Sequence, residues 1–141
     1  MISKDLQDKL ISLAKEAQKK AYVPYSNFHV GAAILSDDGD IFTGCNIENV
    51  CYALSLCGER TAIFKMMSEK GPHAKIKAIA VSTETDMHAP SCGSCRQVIQ
   101  EFSTPETIVI YKSSDGYKAV PIAELLPDAF TKFTPTQYKT G

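Results

Sequence analysis

The sequence predicts an α/β fold in which helices cover a mixed, mainly five-stranded sheet. Helical and strand patterns follow one another in the order αββαβαββα, the predicted strands are short and apolar, and Asp-Gly or Gly-Pro pairs separate several elements. A chain of 141 residues with 44% hydrophobic residues can bury one moderate core. We therefore expect a single domain over residues 1–141.

The first part of the chain predicts a helix followed by a hairpin. Apolar residues recur with a helical period from residue 6 to residue 21, after Ser3, whose hydroxyl suits an N-cap. Residues 28–35 are apolar or small, Asp38-Gly39 is a turn signal, and residues 40–43 resume strand character. These two runs predict the first two strands.

The middle of the chain predicts two helices separated by a strand. A helical pattern follows Cys57 and stops at Gly71-Pro72, a pair typical of a helix end. Residues 77–83 form an apolar run that predicts a buried strand, and residues 92–102 have the period of a third helix. The alternation of strand and helix here favours a sheet with helices packed on it.

The last part predicts two strands and a short helix. Residues 107–111 are strongly β-branched, and Asp115-Gly116 turns the chain into a further short strand. Pro121 suits the first position of a helix that runs to Leu126. Residues 131–141 have few apolar groups, and we expect them to form a loose C-terminal tail.

The charge balance narrows the classes of partner. The formal net charge is −1, with 15 basic and 16 acidic residues dispersed along the sequence. This balance gives no concentration of positive charge that would bind nucleic acid or an anionic membrane, so we expect a small, nearly neutral ligand. No apolar run reaches the roughly 18 residues of a spanning helix, and no signal-peptide pattern is present. We expect a cytoplasmic protein.

Three of the cysteines stand at predicted helix starts. The chain has 5 cysteines, an odd number that favours reduced thiols or metal ligands over disulfides. A spacing of three places Cys92 and Cys95 on one face of a helical turn, and Cys57 can add a third sulfur from the adjacent helix. Three protein ligands leave one tetrahedral position open, which is typical of a catalytic zinc.

Glu59 stands beside this cysteine group in the sequence. It follows Cys57 by two residues, so it points away from that ligand's direction yet stays near the open metal position, where a carboxylate can carry protons. The alternative is a structural zinc site, closed by Cys45 or Cys51, with Glu59 merely exposed. Spacing alone leaves both alternatives open, because C-x-x-C by itself is not specific.

At these motifs the sequence resembles the zinc-dependent cytidine deaminases, whose short motifs are C-A-E and P-C-x-x-C. The similarity extends over nearly the whole chain, in residues 24–28, 30–33, 44–49, 57–62, 92–97 and 125–130. The three-cysteine ligand set is similar to that of the small homotetrameric branch. Two positions depart from the family pattern: Gly58 replaces alanine, and Ser91 replaces proline. We expect Ser91 to cap the third helix instead.

The resemblance implies both an architecture and a reaction. The architecture is a three-layer α/β/α sandwich with Zn²⁺ held by Cys57, Cys92 and Cys95. The reaction is hydrolysis of free cytidine and deoxycytidine to uridine and deoxyuridine plus ammonia, in pyrimidine salvage. In the mechanism that follows, zinc-bound hydroxide attacks C4 of the base while Glu59 moves a proton to N3 and later to the departing amino group.

The resemblance also gives roles to residues around the substrate. Phe28 packs against the pyrimidine, and the backbone amide of Gly58 meets the base carbonyl. Asn46 and Glu48 hold the ribose 3′-hydroxyl. Without the resemblance, Phe28 would be taken as a core residue, and the two polar residues as solvated side chains near a turn.

Two further residues complete the implied site. Arg60 donates hydrogen bonds to the zinc thiolates, and Phe130 crosses a subunit boundary to close a neighbour's pocket, which implies a homotetramer with shared active sites. One rival activity is deamination of another aminopyrimidine nucleoside, against which the Asn46–Glu48 pair argues. Another rival is a structural zinc module that binds nucleic acid or protein, but this would leave Glu59 without a role.

Overall fold

The structure is a computed structural model that describes residues 2–131. Beyond Thr131, the predicted loose tail at 131–141 lies outside the described residues. The helices are α1 (Lys4–Gln18), α2 (Gly58–Lys70), α3 (Gly93–Glu101) and α4 (Ile122–Leu125), and the strands are β1 (Val30–Ser36), β2 (Ile41–Cys45), β3 (Ile76–Thr83), β4 (Ser103–Ser113) and β5 (Gly116–Pro121). The predicted order of elements is confirmed, with one added 3₁₀ turn at Tyr52–Leu54.

The strands of the described chain form one five-stranded sheet in the order β2-β1-β3-β4-β5. β3 and β4 are parallel, and the other neighbouring pairs are antiparallel. A parallel pair needs a long crossover connection, and α3 provides it between β3 and β4. The predicted mixed five-stranded sheet is therefore confirmed, whereas the expectation of a single domain over residues 1–141 stays a prediction.

Helices cover both faces of the sheet. Alternating residues of β1 point to opposite faces, as the pleat requires. The cluster under α1 contains Leu10, Ile11, Ala14, Ala33, Leu35, Ala78, Ala80, Ile108 and Ile110. The cluster on the other face, under α2, α3 and α4, contains Ala32, Ile34, Ala62, Ile63, Met66, Ile79, Val81, Ile99, Val109 and Ile122. These two clusters make the molecule a three-layer α/β/α sandwich, as predicted.

Two glycines in the sheet let the backbones of α1 and α2 pack directly against the backbones of the strands. A Cβ at Gly31 would lie 2.0 Å from the carbonyl oxygen of Ala14, and a Cβ at Gly44 would lie 2.4 Å from the backbone nitrogen of Ala62. No side chain fits either position, because the obstructing atoms are backbone atoms. The close approach of β2 to α2 fixes the position of the first turn of α2.

Two helix boundaries differ from the predictions. α1 begins as predicted, with the Ser3 hydroxyl accepting from the Leu6 amide, but it ends at Gln18 because the chain then turns to form a bridge between Tyr22 and Ile47. Pro121 caps α4 rather than starting it, because it is the last residue of the edge strand β5, where a missing N–H costs nothing. No helix of residues 2–131 has the length and apolar character to cross a membrane.

Candidate active site

The starts of α2 and α3 bring three cysteines together. Cys57 is the N-cap of α2, Cys92 is the N-cap of α3, and Cys95 lies in the first turn of α3. Among residues 2–131, these three form a cluster whose sulfur atoms all lie within 4.8 Å of one another. The grouping predicted from spacing is therefore present in the fold.

The donor set fits zinc. Soft thiolates are the ligands that zinc prefers in such sites, and the positive ends of two helices favour the ionised thiol. The pKa of Cys57 is lowered to about 5, chiefly by a hydrogen bond with the Cys95 thiol and then by the Arg60 guanidinium. The pKa of Cys95 is raised, because its proton is held against Cys57 and because its side chain is buried. One thiolate is thus already prepared for a cation.

The fourth-cysteine alternative is not supported by the geometry. Cys45 and Cys51 are outside the cluster formed by the described residues. Cys45 lines a separate cleft between α1 and α2, and Cys51 is exposed. The protein sulfurs thus number three, which leaves one position of a tetrahedral metal for another ligand.

Glu59 is buried beside this cluster rather than exposed. It is the second residue of α2, and only 4% of its surface is accessible. Burial raises the pKa of its carboxyl group, and the charge of Cys57 acts in the same direction, whereas contacts with Ser91 and Cys95 oppose the shift. A buried carboxyl group with a raised pKa, next to a candidate metal site, is equipped to hold and release a proton.

Arg60 is in contact with the sulfur cluster. Its Nη2 donates to Cys57 Sγ at 3.6 Å and to the Ser55 carbonyl oxygen at 3.3 Å. A guanidinium at this position lowers the negative charge that three thiolates would place on a divalent metal. This is the contact that the resemblance implied.

A cleft of about 450 Å³ opens next to Cys57. Its lining residues are Ser26, Phe28, Val30, Asn46, Glu48, Tyr52, Ser55, Leu56, Cys57 and Arg60. The fold therefore brings together three of the residues predicted to hold a substrate and one end of the sulfur cluster. The volume lies within the usual range for small-molecule sites.

Asn46 and Glu48 already bind the main chain of the loop that carries Phe28. Asn46 Nδ2 donates to the Phe28 carbonyl at 2.8 Å, and its Oδ1 accepts from the Val30 amide at 2.8 Å. Glu48 Oε1 accepts from the amides of Tyr25 and Ser26 at 3.0 and 3.1 Å. Each side chain keeps spare capacity, since an amide nitrogen has two protons and a carboxylate has two oxygens. These bonds build the cleft wall itself.

Three further residues of the sequence analysis, Gly58, Phe130 and Ser91, do not line this cleft. Gly58 is buried at the start of α2, where a Cβ would lie 3.2 Å from the Val30 carbonyl oxygen, so the family's alanine would fit only tightly. Phe130 is 68% exposed and does not line this cleft. The prediction that Ser91 caps α3 is wrong: Cys92 is the N-cap, and Ser91 is buried.

Sequence reasoning missed several residues that shape this region. Ser26, Tyr52 and Ser55 line the cleft, because two isolated bridges, from Ile47 to Tyr22 and to Leu56, bring distant loops together. Such bridges leave no periodic signal in the sequence. Glu84, which follows β3, was also missed: it accepts from the His29 amide at 3.2 Å and lies 2.6 Å from His29 Nδ1.

The fold and site together define a class of α/β proteins with a three-thiol metal centre beside a buried carboxyl group. The family model described as the cytidine and deoxycytidylate deaminase zinc-binding region matches residues 4–111. The chain belongs to this family.

Several cytidine deaminases align with most of this chain. The chain is 47% identical to a cytidine deaminase of Sporosarcina psychrophila over 126 residues, which are 89% of this chain and 91% of that protein. It is 46% identical to a cytidine deaminase of Halalkalibacterium halodurans over 86% of this chain and 92% of that protein. The crystal structure of a cytidine deaminase from Burkholderia pseudomallei is 44% identical, with a TM-score of 0.81 over 87% of this chain and 98% of that chain.

Proposed function

We propose that this protein hydrolyses the exocyclic amino group of free cytidine and deoxycytidine, giving uridine or deoxyuridine and ammonia. The observation that carries the proposal is the buried Glu59 carboxyl group next to a three-thiol cluster at the end of a nucleoside-sized cleft. The named relatives, which align over almost their full length, support the same activity.

The chemistry requires a water, a metal and a proton carrier. A zinc ion held by Cys57, Cys92 and Cys95 supplies a Lewis acid and brings the pKa of water into the neutral range. Glu59 takes the proton that the attacking water loses at C4 and passes it to N3 of the base. It later moves the proton of the new C4 hydroxyl group to the amino group, so that ammonia leaves as the C4–N bond breaks and the C4 carbonyl forms.

The environment of Glu59 suits this role. A general acid–base group works best when its pKa lies near the operating pH, and burial raises the pKa of Glu59 from its ordinary value. The carboxyl group stands on the first turn of α2, the helix that also carries Cys57 as its cap. One rigid element therefore supports both the proton carrier and a ligand, which limits the reorganisation needed during the reaction.

The substrate contacts are part of the same proposal. Phe28 forms an apolar wall for the pyrimidine, and the Gly58 amide, at the start of α2, donates to the base carbonyl. The second proton of the Asn46 amide and the second oxygen of the Glu48 carboxylate hold the ribose 3′-hydroxyl. In support, Phe28, Asn46 and Glu48 line the cleft. The side chains of Asn46 and Glu48 are fixed by hydrogen bonds to the main chain, so they lose little freedom on binding.

We further propose a homotetramer in which Phe130 closes the cleft of a neighbouring subunit. The exposed side chain of Phe130 supports this, as do the exposed apolar residues Val50, Tyr52 and Leu54, which lie at or next to the 3₁₀ turn whose Tyr52 lines the cleft. Large exposed apolar groups that cluster on one side of a small protein are typical of an interface. Because Tyr52 lines the cleft, a partner that covered this segment would exclude water from the cleft.

The proposed location is the cytoplasm, where the enzyme would serve pyrimidine salvage. All five cysteines are free thiols, and three of them form the candidate zinc site. A reducing compartment keeps such thiols available as ligands, whereas an oxidising one would favour their pairing.

The test is an assay of the purified zinc-loaded protein with cytidine and deoxycytidine, following loss of the cytosine absorbance and release of ammonia in equal amounts. Deoxycytidylate serves as the comparison substrate, since the family includes deaminases of that nucleotide. Zinc is counted in the same samples and in Cys92→Ala, with Cys45→Ala as the matched control. Absence of ammonia release from both nucleosides by a folded, zinc-loaded protein would overturn the proposed activity.

A further inference from the structure

Ser91 is a buried serine whose hydroxyl has no structural use in the described chain. Only 3% of the residue is accessible. Its Oγ makes no hydrogen bond of ordinary geometry with any of residues 2–131. Buried hydroxyl groups in folded proteins are nearly always bonded, so an unpaired one at a candidate active site calls for a partner. Ser91 directly precedes Cys92, so it lies next to the sulfur cluster.

The main chain at Ser91 is fixed independently of this hydroxyl. Arg96 Nε donates to the Ser91 carbonyl oxygen at 2.7 Å, and Arg96 Nη1 donates to the Leu125 carbonyl oxygen at 2.8 Å. The start of α3 is capped by Cys92 and closed by a bond from the Arg96 amide to the Cys92 carbonyl oxygen at 2.9 Å. The serine side chain therefore neither caps the helix nor anchors the loop.

Ser91 and the Glu59 carboxyl group are both buried beside the sulfur cluster, since Ser91 directly precedes Cys92 and Glu59 follows Cys57 by two residues. The carboxylate is itself almost inaccessible, so protein donors must replace the water that would otherwise solvate it. The two groups come from the starts of different helices, so a bond between them would connect α2 to α3 at the sulfur cluster.

We propose that Ser91 is a positioning residue that donates a hydrogen bond from Oγ to the Glu59 carboxylate and holds one of its oxygens, leaving the other directed to the reacting atoms. This inference rests on the proposed function for its kinetic consequence. Fixing the carboxylate removes a rotation that would otherwise have to be frozen at each proton transfer. Proline, which stands at this position in the family pattern, has no hydroxyl group and could not donate this hydrogen bond.

The kinetic test uses Ser91→Ala and Ser91→Thr, with zinc content and thermal stability measured in each. We expect Ser91→Ala to lower kcat by about tenfold, the scale of one hydrogen bond to a charged group, while KM and zinc content stay unchanged. Ser91→Thr, which restores a hydroxyl, should recover most of the loss. Ser36→Ala is the control: Ser36 is also buried, but its hydroxyl donates to Asp38 at the far end of β1, so that variant should lose stability and keep kcat.

A double-mutant cycle separates positioning from a general structural effect. In a Glu59→Gln background, Ser91→Ala should cause little further loss, because the carboxylate that it positions is gone. An undiminished tenfold loss in that background, or a normal kcat in Ser91→Ala, would overturn the inference while leaving the deaminase activity of the wild type intact. Inactive wild-type protein would instead overturn the proposed function.

The contact itself is tested without substrate. A crystal structure of the zinc-loaded wild type should place Ser91 Oγ at about 2.7 Å from a Glu59 carboxylate oxygen, the usual length for a hydroxyl that donates to a carboxylate. In Ser91→Ala, the same carboxylate should adopt more than one rotamer. An Oγ bonded to another acceptor, with Glu59 ordered identically in both proteins, would refute the proposal whatever the activity.

Discussion

Asn46 holds Phe28 through a hydrogen bond from its side-chain Nδ2 to the Phe28 carbonyl oxygen, at 2.8 Å. The same side chain accepts from the Val30 amide at 2.8 Å, so it spans the loop before β1 on both sides of His29. The residue proposed to bind the ribose is thus also part of the scaffold that shapes the cleft. Its substitution must affect both stability and substrate binding.

We predict that Asn46→Ala lowers the free energy of unfolding by about 1–3 kcal/mol and raises KM. The loss of stability follows because Val30 N and Phe28 O lose their partners. Urea unfolding and steady-state kinetics measure the two effects. Glu48→Gln is the comparison, because it keeps an oxygen that can accept from the Tyr25 amide. Unchanged stability in Asn46→Ala would show that these bonds do not support the loop.

The second prediction concerns Arg60 and the metal. Arg60→Ala should weaken zinc binding by about 10- to 100-fold, the scale observed when a residue that contacts metal ligands is removed. The reason is that its Nη2, 3.6 Å from Cys57 Sγ, helps to keep that thiol ionised. Competition with a chromophoric chelator measures the affinity. Lys65→Ala, which removes an exposed cation from the same helix, should bind zinc like the wild type.

A third prediction concerns pH and stability at the β1–β2 turn. Lys70, at the end of α2, forms ion pairs with Asp38 and Asp40, each at 2.5 Å. The hydrogen bond from Lys70 lowers the pKa of Asp38 below 3.8, and the same pairs raise the pKa of Lys70 from 10.5 to about 12. The lowered Asp38 pKa adds stability above pH 3.8 that is lost as pH falls through its folded value. The raised Lys70 pKa adds stability below pH 10.5 that is lost as pH rises through about 12.

Lys70→Met should therefore be less stable than the wild type by an amount that is constant between these limits and shrinks toward both extremes. Unfolding midpoints measured across the pH range test this. A difference that grows below pH 3.8 would have the wrong sign and would exclude the ion pairs as its cause. Enzyme activity at neutral pH should be normal in this variant, because the turn lies at the opposite end of β1 from the cleft.

The fourth prediction concerns assembly. We expect a homotetramer by light scattering, with Phe130→Ala raising KM by an amount equivalent to about 1–3 kcal/mol, the scale of one lost aromatic wall. Zinc content should not change, since Phe130 is not one of the three residues of the sulfur cluster. Mixing Phe130→Ala with Glu59→Gln subunits should restore some sites that carry neither defect. A fully active monomer, or verified hybrids without recovery, would mean that each cleft is completed within one chain.

Local sequence signals predict most of the fold and two members of the cysteine cluster, because these features depend on neighbouring residues in the chain. Cys92 and Cys95 lie on one helical turn, and Gly71, with a φ of 88°, ends α2 where the sequence indicated. Strand segments were recognisable because they are continuous apolar runs. The approach of Cys57 to the other two sulfurs depends on the order of strands in the sheet, which residue spacing does not specify. The resemblance to the family predicts it.

The remaining features depend on contacts between distant segments. Ser91 was expected to cap a helix, but its neighbour Cys92 takes that position, and no pattern in the sequence signals a buried hydroxyl beside Glu59. The cleft wall from Ser55 arises from isolated bridges between loops. Asn27 adopts a left-handed conformation, with a φ of 54°, one residue before Phe28, which a propensity scale cannot specify.

The turnover of Glu59→Gln, measured together with its zinc content, tests whether Glu59 carries the proton in the reaction. Glutamine has the size of glutamate but cannot carry a proton, so the variant should keep zinc and fold while kcat for cytidine falls by roughly 10² to 10⁴-fold. Cys51→Ala serves as the control that alters an exposed thiol and leaves turnover unchanged. Near-normal turnover by zinc-loaded Glu59→Gln would mean that Glu59 is not the proton carrier and that the proton travels by another route.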